Sequence, residues 1–395
     1  MPNDKKYIEL IWADKYDRLE KGEKMPVERH NLPFQVVETI NKPRQKDIEE
    51  GLFSQEQYYP EKDYPKGYPR DWKNKLIWGD NKLVMSSLLK QGWAGKINLI
   101  YIDPPFFTGS DFSVKTTVHG QELEKEPSII EARAYRDTWS GGISSYLKYM
   151  YERLALMKDL LAENGSIYVH LDWHVGHYVK VMMDELFGYE NFRNEIYVNR
   201  IRKNVQEYET VKRLNVANDI ILLFSKNESH RVVQPRSNET REVRWHAFDA
   251  PDYRNGMDYA LFGKKPNADR HWMWSEDKAK LAIKEGKLRP NKKTGKPEYL
   301  VESSESVLTT MWDDIPAYSF TNDYNTEKSE QLLKRVIEMS TSKGDIVADF
   351  FCGSGTTLAT AEKLGRRWVG SDLSKFAIQV TRKRLLGIHE SKAII

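Results

Sequence analysis

Cysteine and long apolar runs are what this sequence lacks. Its 395 residues include a single cysteine, Cys352, so neither an intrachain disulfide nor a cysteine-ligated zinc site can hold the fold. No apolar run approaches the roughly 20 residues of a membrane-spanning helix. The polar start MPNDKKYIEL also has no apolar leader segment. We therefore expect a cytoplasmic protein that does not engage a membrane and is stabilised by packing.

Length and composition predict a folded protein with more than one unit. At roughly 150 residues per domain, the chain suits two or three units. Hydrophobic residues make up 39% and aromatic residues 12%, which is outside the range of disordered chains. Net charge is only +3, but residues 191–310 carry 23 Lys and Arg against 17 Asp and Glu. This basic segment suits either a nucleic-acid partner or an ordinary solvated surface.

The pattern along the chain divides it into four segments. Residues 1–74 are rich in charge, Pro and Tyr without sustained periodicity, and we interpret them as an N-terminal arm. Residues 75–227 and 311–395 alternate short apolar strands with helical patterns. Residues 228–310 lose this periodicity and indicate an insertion. The alternation predicts an α/β fold, with a Rossmann-like, mostly parallel sheet and helices on both faces.

The first chemical motif is DFFCGSGTT at residues 349–357, between a predicted strand and a predicted helix. Gly353 and Gly355 permit a tight turn, and the following helix N-terminus offers amide donors to an anionic group. Asp372 ends the next strand, where a carboxylate can accept hydrogen bonds from ribose hydroxyls. Leu358 replaces the third glycine of a dinucleotide fingerprint, and no lysine follows as in a P-loop. The motif therefore fits a nucleotide-type ligand other than a dinucleotide or a nucleoside triphosphate. The alternative is a purely structural turn.

The second motif is Asp103-Pro104-Pro105-Phe106, directly after the predicted strand INLIYI. Consecutive prolines stiffen the backbone and remove amide donors, so the Asp103 carboxylate and the Pro104 carbonyl present acceptors in a fixed geometry. Phe106 adds a flat stacking surface. The motif therefore suits the exocyclic amine of a flipped nucleobase. The alternative is a strand-ending turn with a buried phenylalanine.

Together the motifs resemble those of S-adenosyl-L-methionine-dependent DNA amino-methyltransferases of the beta class, which includes the modification (Mod) subunits of type III restriction systems. In that class the D-P-P-F motif comes first, the target-recognition region follows, and the F-x-G-x-G cofactor motif comes last. This chain has the same order over most of residues 75–386. Local matches are Gly79-Asp80-Asn81, Asn325 to Lys328, and Gly365-Arg366-Arg367 with Gly370.

The resemblance implies a permuted class I methyltransferase fold. It implies a catalytic half at residues 75–227, an inserted target-recognition region at 228–310 and a cofactor-binding half at 311–395. The implied catalytic residues are Asp103, Pro104, Pro105 and Phe106. The implied cofactor-binding residues are Asp80 at the adenine amino group, Asp372 at the ribose, Thr326 and Lys328 near the methionine carboxylate, and Asp349, Phe351, Cys352, Gly353, Ser354, Gly355, Thr356 and Thr357 around the cofactor loop. No metal is implied.

Two positions depart from the family pattern. Ser329 stands where proline usually follows the lysine, and Asp372 stands where glutamate is frequent. Asp in place of Glu preserves an acceptor for the ribose, whereas the change after Lys328 weakens the assignment of that lysine.

The chemistry of an exocyclic amine dictates the expected mechanism. Acceptors at Asp103 and Pro104 would bind the two N–H bonds and favour a tetrahedral nitrogen whose lone pair faces the sulfonium methyl group. No covalent enzyme intermediate is needed, so we interpret Cys352 as a packing residue. Asp rather than Ser at the first motif position resembles the adenine-specific members. We therefore expect transfer to N6 of adenine.

The basic middle segment coincides with the implied target-recognition region. Arg200, Arg202 and Lys203, just beyond the predicted strand EIYVNRI, are expected to contact the DNA backbone. The partners we expect are double-stranded DNA, a restriction subunit and a second copy of the chain. We expect a bacterial, archaeal or phage-encoded protein that lies in the cytoplasm and associates with the nucleoid through DNA. The alternatives are an N4-cytosine methyltransferase, an RNA methyltransferase and a non-catalytic DNA-binding subunit.

Overall fold

The computed structural model describes residues 9–13, 15, 25–38, 72–105, 114–118, 121–125, 142–200, 214, 216–230, 232–240, 243–301, 305–318 and 328–388. The chain divides into two compact units. The first comprises the chain up to Val233 and again from Thr309, and the second comprises Gln234–Leu308. The second unit lies within the segment that the sequence analysis assigns to target recognition. That role stays a prediction.

Strands and helices alternate along much of the first unit, whereas short strands dominate the second. The described strands are β1 (Lys75–Trp78), β2 (Ile97–Ile102), β3 (Val114–Val118), β4 (Gln121–Lys125), β5 (Leu161–Leu171), β6 (Phe192–Asn199), β7 (Asn218–Ser225), β8 (Arg236–Thr240), β9 (Arg244–Ala247), β10 (Asp249–Pro251), β11 (Arg270–Trp272), β12 (Leu288–Pro290), β13 (Pro297–Val301), β14 (Glu305–Val307), β15 (Met311–Pro316), β16 (Ile346–Asp349) and β17 (Arg367–Asp372). The described α-helices are α1 (Asn81–Leu88), α2 (Ile143–Leu160), α3 (Gly176–Phe187), α4 (Glu276–Lys284), α5 (Glu330–Ser340), α6 (Thr356–Lys363) and α7 (Lys375–Leu386). Within the described ranges, none of these helices is both long and apolar enough to cross a membrane.

An eight-stranded sheet organises the described part of the first unit. Its order is β1-β17-β16-β2-β5-β7-β6-β15. Neighbouring strands are parallel except at β7, which runs antiparallel to both β5 and β6. The sheet confirms the predicted mostly parallel α/β architecture. It also places β16 beside β2, with Val347 paired to Leu99, although β2 comes early in the chain and β16 late.

The two faces of this sheet bury separate hydrophobic clusters. Successive side chains of a strand point to opposite faces, so Ile100 and Ile102 of β2 join one cluster while Leu99 and Tyr101 join the other. Helices α1, α2 and α3 pack on the first face, and α5, α6 and α7 pack on the second. The prediction of helices on both faces is therefore confirmed.

The described parts of the N-terminal arm pack within the first unit. Leu10 and Phe34 contact the cluster that α1, α2 and α3 cover. Lys15 is buried, and its ammonium lies 2.7 and 2.8 Å from the two carboxylate oxygens of Glu185 on α3. A buried lysine requires a paired partner of this kind, so the arm is held by a specific contact as well as by apolar packing.

The second unit has a core of its own. Phe248, Trp272 and Leu288 are buried there together with Ala279 of α4. Strand β13 pairs with β12 and β9, and β11 pairs with β10. Residues 234–308 carry 15 Lys and Arg against 12 Asp and Glu, a net charge of +3. This unit therefore combines a small aromatic core with a weakly basic sequence.

Candidate active site

Acidic residues collect at one edge of the large sheet. The parallel strands β1, β17, β16, β2 and β5 all end there, and in that order they are ended or followed by Asp80, Asp372, Asp349, Asp103 and Asp172. Strand β7 runs the opposite way, so its second residue, Asp219, also lies at this edge. The carboxyl ends of parallel strands are where open α/β sheets bind ligands. The edge is therefore the candidate active site.

The predicted cofactor loop joins β16 to α6. Gly355 has a φ of +77°, and a Cβ at this position would lie 2.5 Å from the Cγ2 atom of Thr381 on α7. The Thr381 hydroxyl donates to the carbonyl oxygen of Gly353 at 2.9 Å. Only glycine suits a left-handed turn this close to a neighbouring helix. The loop is therefore held in one shape by α7.

A second residue of α7 also supports this loop. Arg384 donates to the carbonyl oxygen of Ser354 at 3.0 Å and to the hydroxyl of Thr356 at 2.7 Å. Cys352 is buried in the same loop, and burial raises the pKa of its thiol well above the usual range. A protonated, buried thiol is a poor nucleophile, which supports the interpretation of Cys352 as a packing residue.

Asp372 orders the backbone on both sides of the loop. One of its carboxylate oxygens accepts the amide of Gly353 at 2.9 Å, and the other accepts the amide of Ser374 at 2.8 Å. Each carboxylate oxygen can accept more than one hydrogen bond. Asp372 thus stands beside the glycine turn, where its carboxylate can accept a ribose hydroxyl in addition to these amides.

Asp349 is buried beneath the same loop rather than facing out of it. Its carboxylate accepts the Thr357 hydroxyl at 2.6 Å and the Phe351 amide at 2.9 Å. Burial raises the pKa of Asp349 to about 7, although these two hydrogen bonds act to lower it. The structure therefore places Asp349 as a support of the turn, and Thr357 as its partner.

Asp80 is engaged at the start of α1. Its Oδ1 atom accepts the amides of Lys82 and Leu83, so Asp80 is the N-cap of this helix. Its Oδ2 atom lies 3.0 Å from the buried guanidinium of Arg153 on α2. Arg153 in turn stacks 3.4 Å over the ring centre of Tyr149. Contact of Asp80 with the adenine of a cofactor stays a prediction.

Asp103 follows β2, at the centre of the candidate site. Pro104 is buried and Pro105 is half-buried, while the Asp103 side chain is 23% exposed. Oδ1 of Asp103 is buried and lies 3.1 Å from the ammonium of Lys328, whose side chain is 6% exposed. Oδ2 is consequently the part of this carboxylate that a substrate can approach.

A network of buried polar side chains lies next to Asp103. Tyr318 donates to Oδ2 of Asp219 at 2.8 Å. His170 Nε2 lies 3.4 Å from the same oxygen, and His170 Nδ1 lies 2.8 Å from the Tyr101 hydroxyl. Arg200 is within 3.4 Å of the other Asp219 oxygen. Charged groups in this interior position are therefore paired.

Some of the predicted site residues lie outside the described residues. These are Phe106, Thr326, Arg202 and Lys203. Arg200 is described and pairs with Asp219, while its side chain keeps 36% exposure. Its predicted contact with DNA stays a prediction. Across the described ranges, no three His, Cys, Asp or Glu side chains come together as metal ligands.

Several residues of the site were missed by the sequence analysis. They are Arg153, Asp219, Tyr318, Thr381 and Arg384. A weak signal existed for Asp219, because an acidic residue stands at the start of the apolar run NDIILLFS. The others lie on helices or after strands without any motif around them. Only the fold brings them to the loop and to Asp103.

Comparison with known proteins identifies the family to which this sequence is similar. Residues 97–383 match the model of the N6/N4 methyltransferase family, described as DNA methylase. The type II methyltransferase M.EcaI of Enterobacter cloacae is 31% identical over 333 residues, covering 79% of this chain and 69% of that protein. The probable type III restriction-modification enzyme HindVI Mod subunit of Haemophilus influenzae is 25% identical, covering 79% of this chain and 50% of that protein.

Solved structures also align with the chain. The crystal structure of the M1.HpyAVI–SAM complex is 16% identical, with a TM-score of 0.42, and covers 79% of this chain and 98% of that chain. The chain spans about two thirds of the length of M.EcaI and half the length of the HindVI Mod subunit.

Proposed function

The chain belongs to the N6/N4 DNA methylase family, and we propose that it transfers the methyl group of S-adenosyl-L-methionine to the N6 amino group of a flipped adenine in double-stranded DNA. One observation carries this proposal. The Asp103 motif and the glycine loop of residues 350–355 follow adjacent strands, β2 and β16, and emerge at the same edge of the sheet. An acceptor pair for an amine and a turn suited to a nucleoside therefore stand side by side.

The residues present fit S-adenosyl-L-methionine. A Cβ at Gly355 would fill the space between the turn and Thr381, so the backbone turn is available only with glycine there. Asp372 stands next to the Gly353 amide, where its carboxylate can also accept a ribose hydroxyl. When bound, the cofactor supplies an electrophilic methyl group on a sulfonium centre. Gly353, Gly355 and Asp372 are the residues that we expect to hold it.

Asp103 and Pro104 act on the target amine. Their carboxylate Oδ2 and carbonyl oxygen accept its two N–H bonds, which localises the nitrogen lone pair and orients it. As the nitrogen becomes positively charged, the fixed carboxylate of Asp103 stabilises that charge without reorganising. The same carboxylate is placed to receive the proton that the nitrogen then loses.

Methyl transfer from radiolabelled S-adenosyl-L-methionine to unmodified duplex DNA tests this proposal. The DNA is digested and its nucleosides are separated. We expect label in N6-methyldeoxyadenosine. Label in N4-methyldeoxycytidine would assign the enzyme to the cytosine alternative, and label only with an RNA substrate would assign it to the RNA alternative. Cofactor binding without label on either nucleic acid would support the non-catalytic DNA-binding subunit.

A restriction subunit and a second copy of the chain are the proposed partners, and the cytoplasm is the proposed location. The resemblance to Mod subunits supports a restriction partner, because those relatives are named as subunits of a larger enzyme. Light scattering on the purified chain, with and without duplex DNA, measures whether it is a dimer. A mass of one chain without DNA, and of one chain plus one duplex with DNA, would contradict the proposed homodimer.

A further inference from the structure

Lys328 contacts the catalytic motif in this structure. Its ammonium lies 3.1 Å from Oδ1 of Asp103 and 4.0 Å from the ring centre of Tyr318. The family resemblance instead implies a place for this lysine near the methionine carboxylate of the cofactor. The two locations give Lys328 different roles. Beside Asp103 it would affect the reacting amine through that carboxylate, whereas beside the methionine carboxylate it would affect the affinity for the cofactor.

The backbone fixes Lys328 next to Tyr318. The two residues form an antiparallel bridge, and the amide of Ser329 donates to the carbonyl oxygen of Ala317 at 3.0 Å. This backbone pairing places the ring of Tyr318 beside the ammonium of Lys328. The face of an aromatic ring attracts a desolvated ammonium, which favours this rotamer of Lys328.

Asp219 in turn fixes the Tyr318 ring. The side chain of Asp219 has no exposed surface, and Oδ2 accepts the Tyr318 hydroxyl at 2.8 Å. Burial would raise the pKa of Asp219, but the hydrogen bonds from His170 and Tyr318 and the charge of Lys328 hold it below its usual range. Asp219 is thus an anion at neutral pH, and its charge adds to the attraction on the nearby ammonium of Lys328.

His170 completes the support from the other side. It is fully buried, and burial lowers its pKa, so the imidazole is neutral. Burial also raises the pKa of Tyr101, whose hydroxyl can donate to Nδ1 of His170. When Nδ1 accepts the Tyr101 hydroxyl, the N–H of His170 is on Nε2, which lies 3.4 Å from Oδ2 of Asp219. Each member of the series from Tyr101 to Lys328 therefore orients the next.

We propose that Lys328 is a positioning residue for Asp103, held by Tyr318, Asp219 and His170, and that it serves methyl transfer rather than cofactor binding. This inference rests on the proposed function. Lys328 holds the buried Oδ1 of Asp103 and leaves Oδ2 to accept an N–H of the amine. Without the ammonium, a partly buried carboxylate has no counter-charge on that side and loses its fixed orientation.

The experiment separates the transfer rate from cofactor affinity. Wild-type chain, Lys328→Met, Lys328→Arg and the control Lys334→Met are compared for the Kd of S-adenosyl-L-methionine and for the single-turnover rate on duplex DNA at saturating cofactor. Lys334 is exposed on α5. We expect Lys328→Met to lower the rate about 100-fold, with the Kd within about twofold of wild type. Lys328→Arg restores part of the rate because it retains the charge, and Lys334→Met matches wild type.

A weakened Kd for the cofactor with an unchanged saturated rate in Lys328→Met would assign Lys328 to the methionine carboxylate and overturn the inference. Asp219→Asn is a second test of the inference, and it leaves Lys328 itself unchanged. We expect it to lower the single-turnover rate about 10-fold with an unchanged cofactor Kd, as for a group that acts by orientation. An unchanged rate would remove Asp219 from the network. Absence of methylation by wild type would instead refute the proposed function, which keeps the two failures distinguishable.

Discussion

The cofactor side and the catalytic side of this sheet edge hold their carboxylates in different ways. Asp349 and Asp372 accept backbone amides and a hydroxyl from residues no more than 19 positions away in sequence. Asp103 and Asp219 instead meet ammonium, imidazole and phenol groups from distant parts of the chain. The contacts of the first pair lie within and just after one strand–helix–strand segment, β16-α6-β17. The second pair depends on the assembly of the whole sheet.

The largest expected effect is on the catalytic side. Asp103→Ala removes an acceptor for the amine and the group that stabilises its positive charge, so we expect methyl transfer to fall by about 1,000-fold or more. The Kd of S-adenosyl-L-methionine should stay within about twofold of wild type, because Asp103 belongs to the other side of the edge. Single-turnover methylation and calorimetry measure the two quantities. A large loss of cofactor affinity in Asp103→Ala would contradict the separation of the catalytic side from the cofactor side.

The next effect concerns Asp349 on the cofactor side and depends on pH. Its pKa is about 7 in the folded protein, against an ordinary value of 3.8. The unfolded chain therefore loses this proton first as pH rises, and the free energy of unfolding falls between about pH 4 and pH 7. The difference of about 3 pKa units corresponds to about 4 kcal/mol.

Asp349→Asn tests this pH dependence. Asparagine stays neutral and keeps an oxygen acceptor and an N–H donor for the loop. We therefore expect the free energy of unfolding of the variant to lack the decrease that wild type shows between about pH 4 and pH 7. Urea unfolding of both proteins from pH 4 to pH 8 measures the difference. Parallel pH curves for wild type and variant would contradict a buried, protonated Asp349.

Gly355→Ala should weaken the cofactor side by a smaller amount. The residue has a φ of +77°, and the new Cβ would collide with Thr381. We expect a loss of about 1–3 kcal/mol from the strained turn and an increase of about 10-fold or more in the Kd of S-adenosyl-L-methionine, with calorimetry as the measurement. Gly256→Ala is a matched control, since Gly256 has a φ of +80° with open space around it. Equal cofactor affinity in the two variants would show that the close approach to Thr381 has no importance.

The smallest effect is expected at Arg200, on the rim of the catalytic side. Arg200→Met should weaken DNA binding and reduce the slope of log K against log salt by about 1, as for the loss of one phosphate contact. Lys90→Met is the control, because Lys90 is exposed just ahead of β2, at the opposite edge of the sheet. Titrations of duplex DNA at several salt concentrations measure the slope. A lower methylation rate with an unchanged slope would assign Arg200 to Asp219 alone.

Much of the fold and of the chemistry was predictable from sequence. The strand and helix periodicity predicted the mostly parallel sheet with helices on both faces, and the structure confirms it. The two motifs and their order predicted the DNA amino-methyltransferase family, which the family match confirms. The individual roles of Asp80, Asp372 and Lys328 stay predictions. The resemblance supplied these roles, whereas the contacts that these side chains make in the structure are contacts within the chain itself.

The sequence by itself determined the groups that follow local rules. Gly353 and Gly355 mark a turn because a left-handed backbone needs glycine, and Asp103 with Pro104 marks an acceptor pair because proline fixes the backbone. Only the tertiary structure decided what surrounds them. Asp219 and Tyr318 have ordinary sequence contexts. They and Lys328 meet at Asp103 because β7, β15 and the chain after β15 reach the same edge of the sheet as β2. Their pairing follows from burial, which makes an unpaired charge costly, and burial is a property of the assembled sheet rather than of any segment.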